Sequence, residues 1–382
     1  MISEQFMLRA IELAQKGKGF TNPNPLVGAV IVKDGQVIAE GYHHKYGDLH
    51  AERDALKNAR ENGVDVTGAE LYVTLEPCCH TGKQPPCTQA VIDSKISHVI
   101  IGSRDPNPLV DGKGVKQLQD AGIKVTQDFL KAECDAINPV FFHFIKNKMP
   151  YVIIKYAMTA DGQTATSKAE SRWITGHQAR QNVHLTRAES MAVMTGIGTA
   201  KKDNPMLNVR LDDNGTHRQP VRIVLDSHLK LNPESMLAKT AGEIPVIIFC
   251  KKELTETEII RKSVLESQGI KVLTAPENKN HSTLYDQLSM LASEGIDSIL
   301  VESGGTLNGS LFFDEPDLVQ EVHVYIAPKI FGNDGRTIFT PVKGKGINFP
   351  NQCVKLSKPE VSMYGEDVLL KYKVETKKGG SQ

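Results

Sequence analysis

The sequence predicts an α/β protein of two domains, and three observations lead there. At 382 residues the chain exceeds what one hydrophobic core usually organises. Short β-rich runs alternate with helical patterns along its length, the habit of helices covering a sheet. A polar step, KNKMP at 146–150, separates two such series. The expectation is a first domain over 1–146, a second over 147–375 and a polar tail, TKKGGSQ, over 376–382.

The elements follow in order. In MISEQFMLRAIELAQKGKGF, the apolar positions Phe6, Ala10, Leu13 and Ala14 share one helical face. LVGAVIVKDGQVIAEGYHH reads as two strands around the hairpin signal Asp34-Gly35. HAERDALKNAREN is helical, AELYVTL a strand, TQAVIDS a helix and SHVIIGS a strand; GVKQLQDAG and IKVTQ add a helix and a strand. In the second half YVIIKYAM, VRIVLDS, EIPVIIFC, IKVLTA, IDSILVES and EVHVYIAP are strand candidates, with HQARQNVHLTRAES and TLYDQLSMLASEG helical between some of them. Strands joined by crossover helices imply a largely parallel sheet.

Composition narrows the class. Apolar residues at 40% and charged residues at 24% describe a soluble globular chain. Forty-five basic residues balance 45 acidic ones, which argues against nucleic acid or an anionic membrane as partner. No run approaches the roughly 18 apolar residues of a membrane span, and no secretory signal is seen, so the cytoplasm is expected. Three of six cysteines crowd into 78–87, the wrong distribution for a disulfide framework and a fit for a metal or catalytic cluster.

That cluster lies in TLEPCCHTGKQPPC, residues 74–87, downstream of HAE at 50–52. Zinc prefers nitrogen and sulfur donors, and a catalytic zinc keeps three protein ligands with the fourth position open for water. His50, Cys78 and Cys87 supply that count. Zinc deaminases carry H-x-E followed by P-C-x-x-C, with the Glu as proton shuttle and not a ligand. Here the second half departs from that pattern, since C-x8-C separates the two cysteines. Pro77 and Pro86 precede Cys78 and Cys87, and proline favours the first turn of a helix. Both sulfurs are therefore expected at helix N-termini, where a thiolate is stabilised. Cys79 reads as a packing neighbour. Glu52 reads as the group that moves the proton, although a fourth ligand from His80 or Cys79 would make the site structural. His43, His44 and His80 read as surface or locally bonded histidines, whereas Asn24, in the proline-stiffened TNPNPLVGA, could read a pyrimidine edge.

In the second half VESGGTLNGSL, 301–311, runs from a strand through a glycine-rich turn into a helix start, where backbone N–H groups can meet a pyrophosphate. A glycine turn of this kind also occurs without any ligand, and Lys113 in DGKG reads as a turn. Ser171 and Trp173 follow the Asp161-Gly162 turn. Thr199, Asp203 and Arg210 fall in GIGTAKKDNPMLNVR, expected as a loop kept from helix by Asn204-Pro205. Singly, Arg187 and Arg210 read as solvated and Trp173 as core. Together Ser171, Arg187 and Arg210 are the available donors for a phosphate.

With HAE, TLEPCCHTGKQPPC and these second-half motifs in place, the chain resembles the bifunctional deaminase/reductase family of riboflavin biosynthesis, from NPNPLVGAVIV to VHVYIAPKI. The family's usual serine after the first cysteine is Cys79 here. The resemblance implies a cytidine-deaminase-like three-layer α/β domain followed by a dihydrofolate-reductase-like α/β domain, with zinc and NADPH as cofactors. It implies deamination of a diaminopyrimidinone ribosylamine 5′-phosphate, then reduction of its ribosyl group to ribityl, in a homodimer or homotetramer. Ala157, Trp173, Thr199, Asp203 and Gly304, Gly305, Thr306, Leu307, Asn308, Gly309 and Ser310 match cofactor-contacting positions. Ser171, Arg187, Leu207, Arg210 and Glu302 match substrate-contacting ones. Two other readings compete: a deaminase whose second domain binds nucleotide only as a regulator, and a non-catalytic scaffold stabilised by zinc.

Overall fold

The computed structural model describes residues 2–82, 84–213, 215–274, 283–333 and 339–375; the polar tail expected at 376–382 lies outside them. The chain divides into two compact units, Met1–Lys148 and Met149–Gln382.

The first unit runs α1 (Glu4–Gln15), β1 (Gly28–Lys33), β2 (Gln36–Tyr42), α2 (Ala51–Glu61), β3 (Glu70–Leu75), α3 (Cys87–Asp93), β4 (His98–Ser103), α4 (Lys113–Asp120), β5 (Lys124–Thr126), α5 (Lys131–Ala136) and α6 (Pro139–Asn147). Its sheet has the order β2-β1-β3-β4-β5. The hairpin turns where expected, with Asp34 and Gly35 both at positive φ, 54° and 76°, the pairing a tight two-residue turn requires. Successive strand residues point to opposite faces, and this splits the core in two. Ala29 and Ile31 pack with Ala51, Ala55, Val91 and Leu118 from α2, α3 and α4, while Val30 and Val32 pack with Phe6, Met7, Ala10 and Leu13 of α1. The result is a helix–sheet–helix sandwich of three layers.

The second unit runs β6 (Tyr151–Thr159), α7 (His177–Glu189), β7 (Ala192–Gly196), α8 (Ile197–Asp203), β8 (Val221–Leu225), α9 (Met236–Lys239), β9 (Val246–Cys250), α10 (Glu256–Ser267), β10 (Lys271–Thr274), α11 (Thr283–Ser293), β11 (Ser298–Val301), α12 (Gly305–Phe313), β12 (Glu321–Ala327), β13 (Glu360–Tyr364) and β14 (Asp367–Lys373). Its strand order is β10-β9-β8-β7-β11-β6-β12-β14-β13. The seven strands from β10 to β12 are parallel, and β14 and β13 continue the sheet antiparallel. Two sequence expectations change. Residues 197–203 form α8, and Asn204-Pro205 ends that helix instead of preventing it, with Asn204 left-handed at φ 43°. Cys87 does open a helix, but Cys78 lies in irregular backbone, its carbonyl accepting from Thr88 N–H at 3.2 Å and its sulfur from Cys87 N–H at 3.4 Å.

Close approach of α1 to the sheet depends on Gly28, where a Cβ would stand 1.9 Å from the Ala10 carbonyl oxygen. Gly28→Ala is expected to cost about 1–3 kcal/mol by overpacking, read as a lower denaturant midpoint for the first unit; an unchanged midpoint would contradict this packing.

Candidate active sites

In the first unit, the N-terminus of α2, the residues just after β3 and the start of α3 come together. His50 is the N-cap residue of α2, and Glu52 lies in its first turn. His50 Nδ1 is 3.5 Å from the sulfurs of both Cys78 and Cys87. These three donor atoms all lie within 4.8 Å of one another, and among the described residues neither Cys79 nor His80 joins them. One imidazole and two sulfurs are the donors zinc favours, so the set fits that ion. The first N–H of α3, on Cys87, points at Cys78 Sγ at 3.4 Å. Cys78 thus receives the helix-start stabilisation expected for it from a helix it does not belong to. Hydrogen bonding from Cys87 is the main force holding the Cys78 thiol down, to about 4. The Cys87 thiol is pushed the other way by its bond to Cys78 and by burial. An ion bound to both sulfurs would displace any proton they retain. Cys79 instead leans on the Leu109 carbonyl at 3.6 Å.

Glu52 is 3% exposed, and burial raises its carboxyl above the usual range, with the Cys78 charge adding to the effect. It faces a cavity of about 140 Å³ together with Asn24, His43, His80, Asp105 and Asn107. Asn24 is bonded to His43 Nε2 at 3.1 Å, and His43 Nδ1 to the Leu49 carbonyl at 2.9 Å. His43 is thus a buried wall of the cavity and not a surface residue. His44 turns away to Asp54 at 2.9 Å. Asp105 was not foreseen; burial lifts its carboxyl to about 7. The available signal was its place just beyond β4, in RDPNP, where a polar side chain leaves a buried strand.

In the second unit a cavity of about 700 Å³ opens at the carboxyl ends of β6, β7 and β11, where parallel α/β sheets commonly receive ligands. Ala157, Thr199, Asp203, Gly304, Gly305, Thr306, Leu307 and Ser310 line it, as do Ser171 and Glu302. Asn308 and Gly309 do not. Asn308 is fully buried and donates to the Pro341 carbonyl at 2.8 Å. Gly309 lets the Lys343 carbonyl approach so closely that a Cβ would sit 1.5 Å from it. Trp173 is neither core nor cavity wall. It is 62% exposed, with the Arg180 guanidinium 4.4 Å from its ring centre. Arg187 is not solvated: it grips Glu302 in a two-pronged ion pair and donates to the Asn208 carbonyl at 2.8 Å. Arg187, Leu207 and Arg210 do not line the cavity; the Arg187–Asn208 bond ties their loop to Glu302, with Arg210 exposed and bonded to Asn208. Lys113 opens α4 and donates to the Pro108 carbonyl at 2.7 Å.

Lys155, Lys202 and Lys343 line the same cavity and were missed. Lys155 is a lone cation inside the apolar run YVIIKYAM, and its Nζ lies 3.3 Å from Glu302. Burial alone would raise the Glu302 carboxyl, but Arg187 and Lys155 outweigh it and hold it near 2.

A model of the cytidine and deoxycytidylate deaminase zinc-binding region matches residues 1–103, and one of the RibD C-terminal domain matches residues 150–370. The riboflavin biosynthesis protein RibD of Actinobacillus pleuropneumoniae is 48% identical over 375 residues, covering 98% of this chain and 96% of that protein. RibD of Escherichia coli (strain K12) is 40% identical, with 97% and 99% covered. Among solved structures, Acinetobacter baumannii RibD (form 1) superposes with a TM-score of 0.85 at 34% identity, over 98% of this chain and 99% of that one. A diaminohydroxyphosphoribosylaminopyrimidine deaminase/5-amino-6-(5-phosphoribosylamino)uracil reductase of Thermotoga maritima gives 0.80 at 37% identity, over 97% and 98%. A zinc-binding deaminase domain followed by a reductase domain is thus the class that fold and matches define. The chain belongs to the RibD family of bifunctional deaminase/reductases of riboflavin biosynthesis, with zinc and NADPH as cofactors.

Glu302 is held below its unfolded value of 4.5, so it contributes stability above that pH, and the contribution is lost as pH falls toward about 2. Urea unfolding across this window is expected to show wild-type stability of the second unit falling more steeply than that of Glu302→Gln; equal slopes would contradict the buried ion pair.

Proposed function

We propose that residues 1–146 deaminate 2,5-diamino-6-ribosylamino-4(3H)-pyrimidinone 5′-phosphate and that residues 147–375 then reduce the ribosyl group of the product to ribityl with NADPH. The observation that carries this reading is the convergence of His50, Cys78 and Cys87 beside the buried carboxyl of Glu52 in a small cavity. Zinc, when bound by these three residues, supplies a Lewis acid that makes a water acidic near neutral pH. Glu52 takes one proton from the attacking water and delivers it to a ring nitrogen, then takes the second from the hydroxyl added to the ring carbon and delivers it to the departing amine, leaving a carbonyl and ammonia. A carboxyl whose proton affinity is raised by burial suits both halves of that task. Asn24, steadied by His43, presents its amide to the pyrimidine edge.

In the reductase, Ala157, Thr199, Asp203, Gly304, Gly305, Thr306, Leu307 and Ser310, which line the cavity, hold NADPH, with the pyrophosphate against the first N–H groups of α12. Ser171, Arg187, Leu207, Arg210 and Glu302 hold the phosphorylated sugar. The cofactor supplies the hydride, and these side chains supply orientation. The enzyme acts in the cytoplasm on a free small molecule; no helix among the described residues is long and apolar enough to cross a membrane. It works as a homo-oligomer, a reading supported by the exposed apolar Val361 and Met363 on the edge strand β13.

Glu52→Gln is expected to retain zinc by elemental analysis while ammonia release falls about 100- to 10,000-fold; normal release would sink the mechanism. Arg210→Ala is expected to raise the KM for the phosphorylated substrate about tenfold or more, from loss of a charged hydrogen bond, with the KM for NADPH unchanged. A selective loss of NADPH binding would reverse the assignment.

A further inference from the structure

The segment that delivers Cys87 poses a problem of its own. Pro85 and Pro86 precede it, and neither has an N–H, so their carbonyls are the only backbone handles by which that stretch can be tied down. Both handles are taken by one side chain. Arg53 Nε donates to the Pro85 carbonyl at 3.1 Å and Nη2 to the Pro86 carbonyl at 3.0 Å. Among the described residues no other side chain is bonded to either oxygen. Arg53 follows Glu52 on α2, the helix whose N-cap is His50. Cys78 is in turn tied to the held segment, since Cys87 N–H points at its sulfur at 3.4 Å and Thr88 N–H at its carbonyl at 3.2 Å.

We propose that Arg53 is a positioning residue for the zinc site, fixing the Cys87 segment against α2 so that both sulfurs stay registered on His50. The inference rests on the zinc reading above. The planar fork of a guanidinium spans two adjacent carbonyls with fixed spacing, which a lysine ammonium cannot do. The clamp touches neither ion nor substrate. Its effect is to slow the opening of the Cys87 side of the site, the motion by which an ion would leave.

The test uses full-length, zinc-loaded wild type, Arg53→Ala and Arg53→Lys. It follows zinc transfer to a chromogenic chelator, and the melting of each protein with and without zinc. Arg53→Ala is expected to release zinc about tenfold faster, equivalent to about 1.4 kcal/mol, with Arg53→Lys between it and wild type. The melting temperature of the zinc-free form and reductase turnover stay at wild-type values, while the gain in melting temperature on adding zinc shrinks. If Arg53→Ala fails to fold, Arg53→Lys carries the comparison. Unchanged zinc release overturns the proposal, as does an equal loss of melting temperature in the zinc-free and zinc-loaded forms, which marks a general brace. A wild type that retains no zinc overturns the zinc reading itself and this inference with it.

Discussion

Two sulfurs, each 3.5 Å from one imidazole nitrogen, next to a buried carboxyl are the constraint around which the first unit is organised. Groups of this kind repel or compete for protons when packed together without a cation. The fold therefore has to enforce their meeting from three separate directions. Helix α2 brings His50 and Glu52, the segment leaving β3 brings Cys78, and the start of α3 brings Cys87. The three-layer sandwich makes this enforceable, because α2 and α3 lie on the same face of the sheet and share the core of Ala51, Ala55 and Val91. A self-contained metal knot in the cysteine loop would have needed none of that scaffold.

The second unit solves the opposite problem. At its cavity stands Glu302, at the carboxyl end of β11 with its side chain 11% exposed, and an isolated carboxylate so nearly buried is costly. Arg187 from α7 and Lys155 from β6 answer it, so three elements that are distant in sequence are pinned at the mouth of the cavity. The glycines at 304, 305 and 309, at and within the start of α12, divide by the same logic of close approach. Gly304 and Gly305 line the cavity, while Gly309 admits the Lys343 carbonyl and brings the 340–343 segment against α12.

What could be read from the sequence follows from how local each signal is. The hairpin at Asp34-Gly35, the helix after His50 and the strand running into a helix start at 301–311 are each encoded locally, by periodicity or turn chemistry, and they stand as expected. Strand β7 went unseen because AVMTG follows a helix after only Ser190 and Met191, leaving no turn signal to mark its start. Cys78 was misplaced because a proline reports where a helix can begin, not whether one does. Arg187 read as solvated because its partner Glu302 is 115 residues away. Such a pair has no local trace, and only the topology that puts β11 between β7 and β6 brings it together.

That same topology separates the roles of the two arginines that the sequence offered as equals. Arg187 is committed to Glu302 and to the Asn208 carbonyl, so its charge is already balanced and its geometry fixed. Arg210 carries no carboxylate partner among the described residues; it is bonded to the Asn208 amide oxygen and is exposed. Between them His184 is driven down to about 4 by burial and by both guanidinium charges, and its Nδ1 accepts the Arg210 backbone N–H at 3.2 Å. A neutral imidazole there adds no third positive charge to relieve or compete with Arg210. Arg210 thus keeps a charge that no carboxylate among the described residues balances, while Arg187 supports, through the Asn208 carbonyl, the loop that presents it.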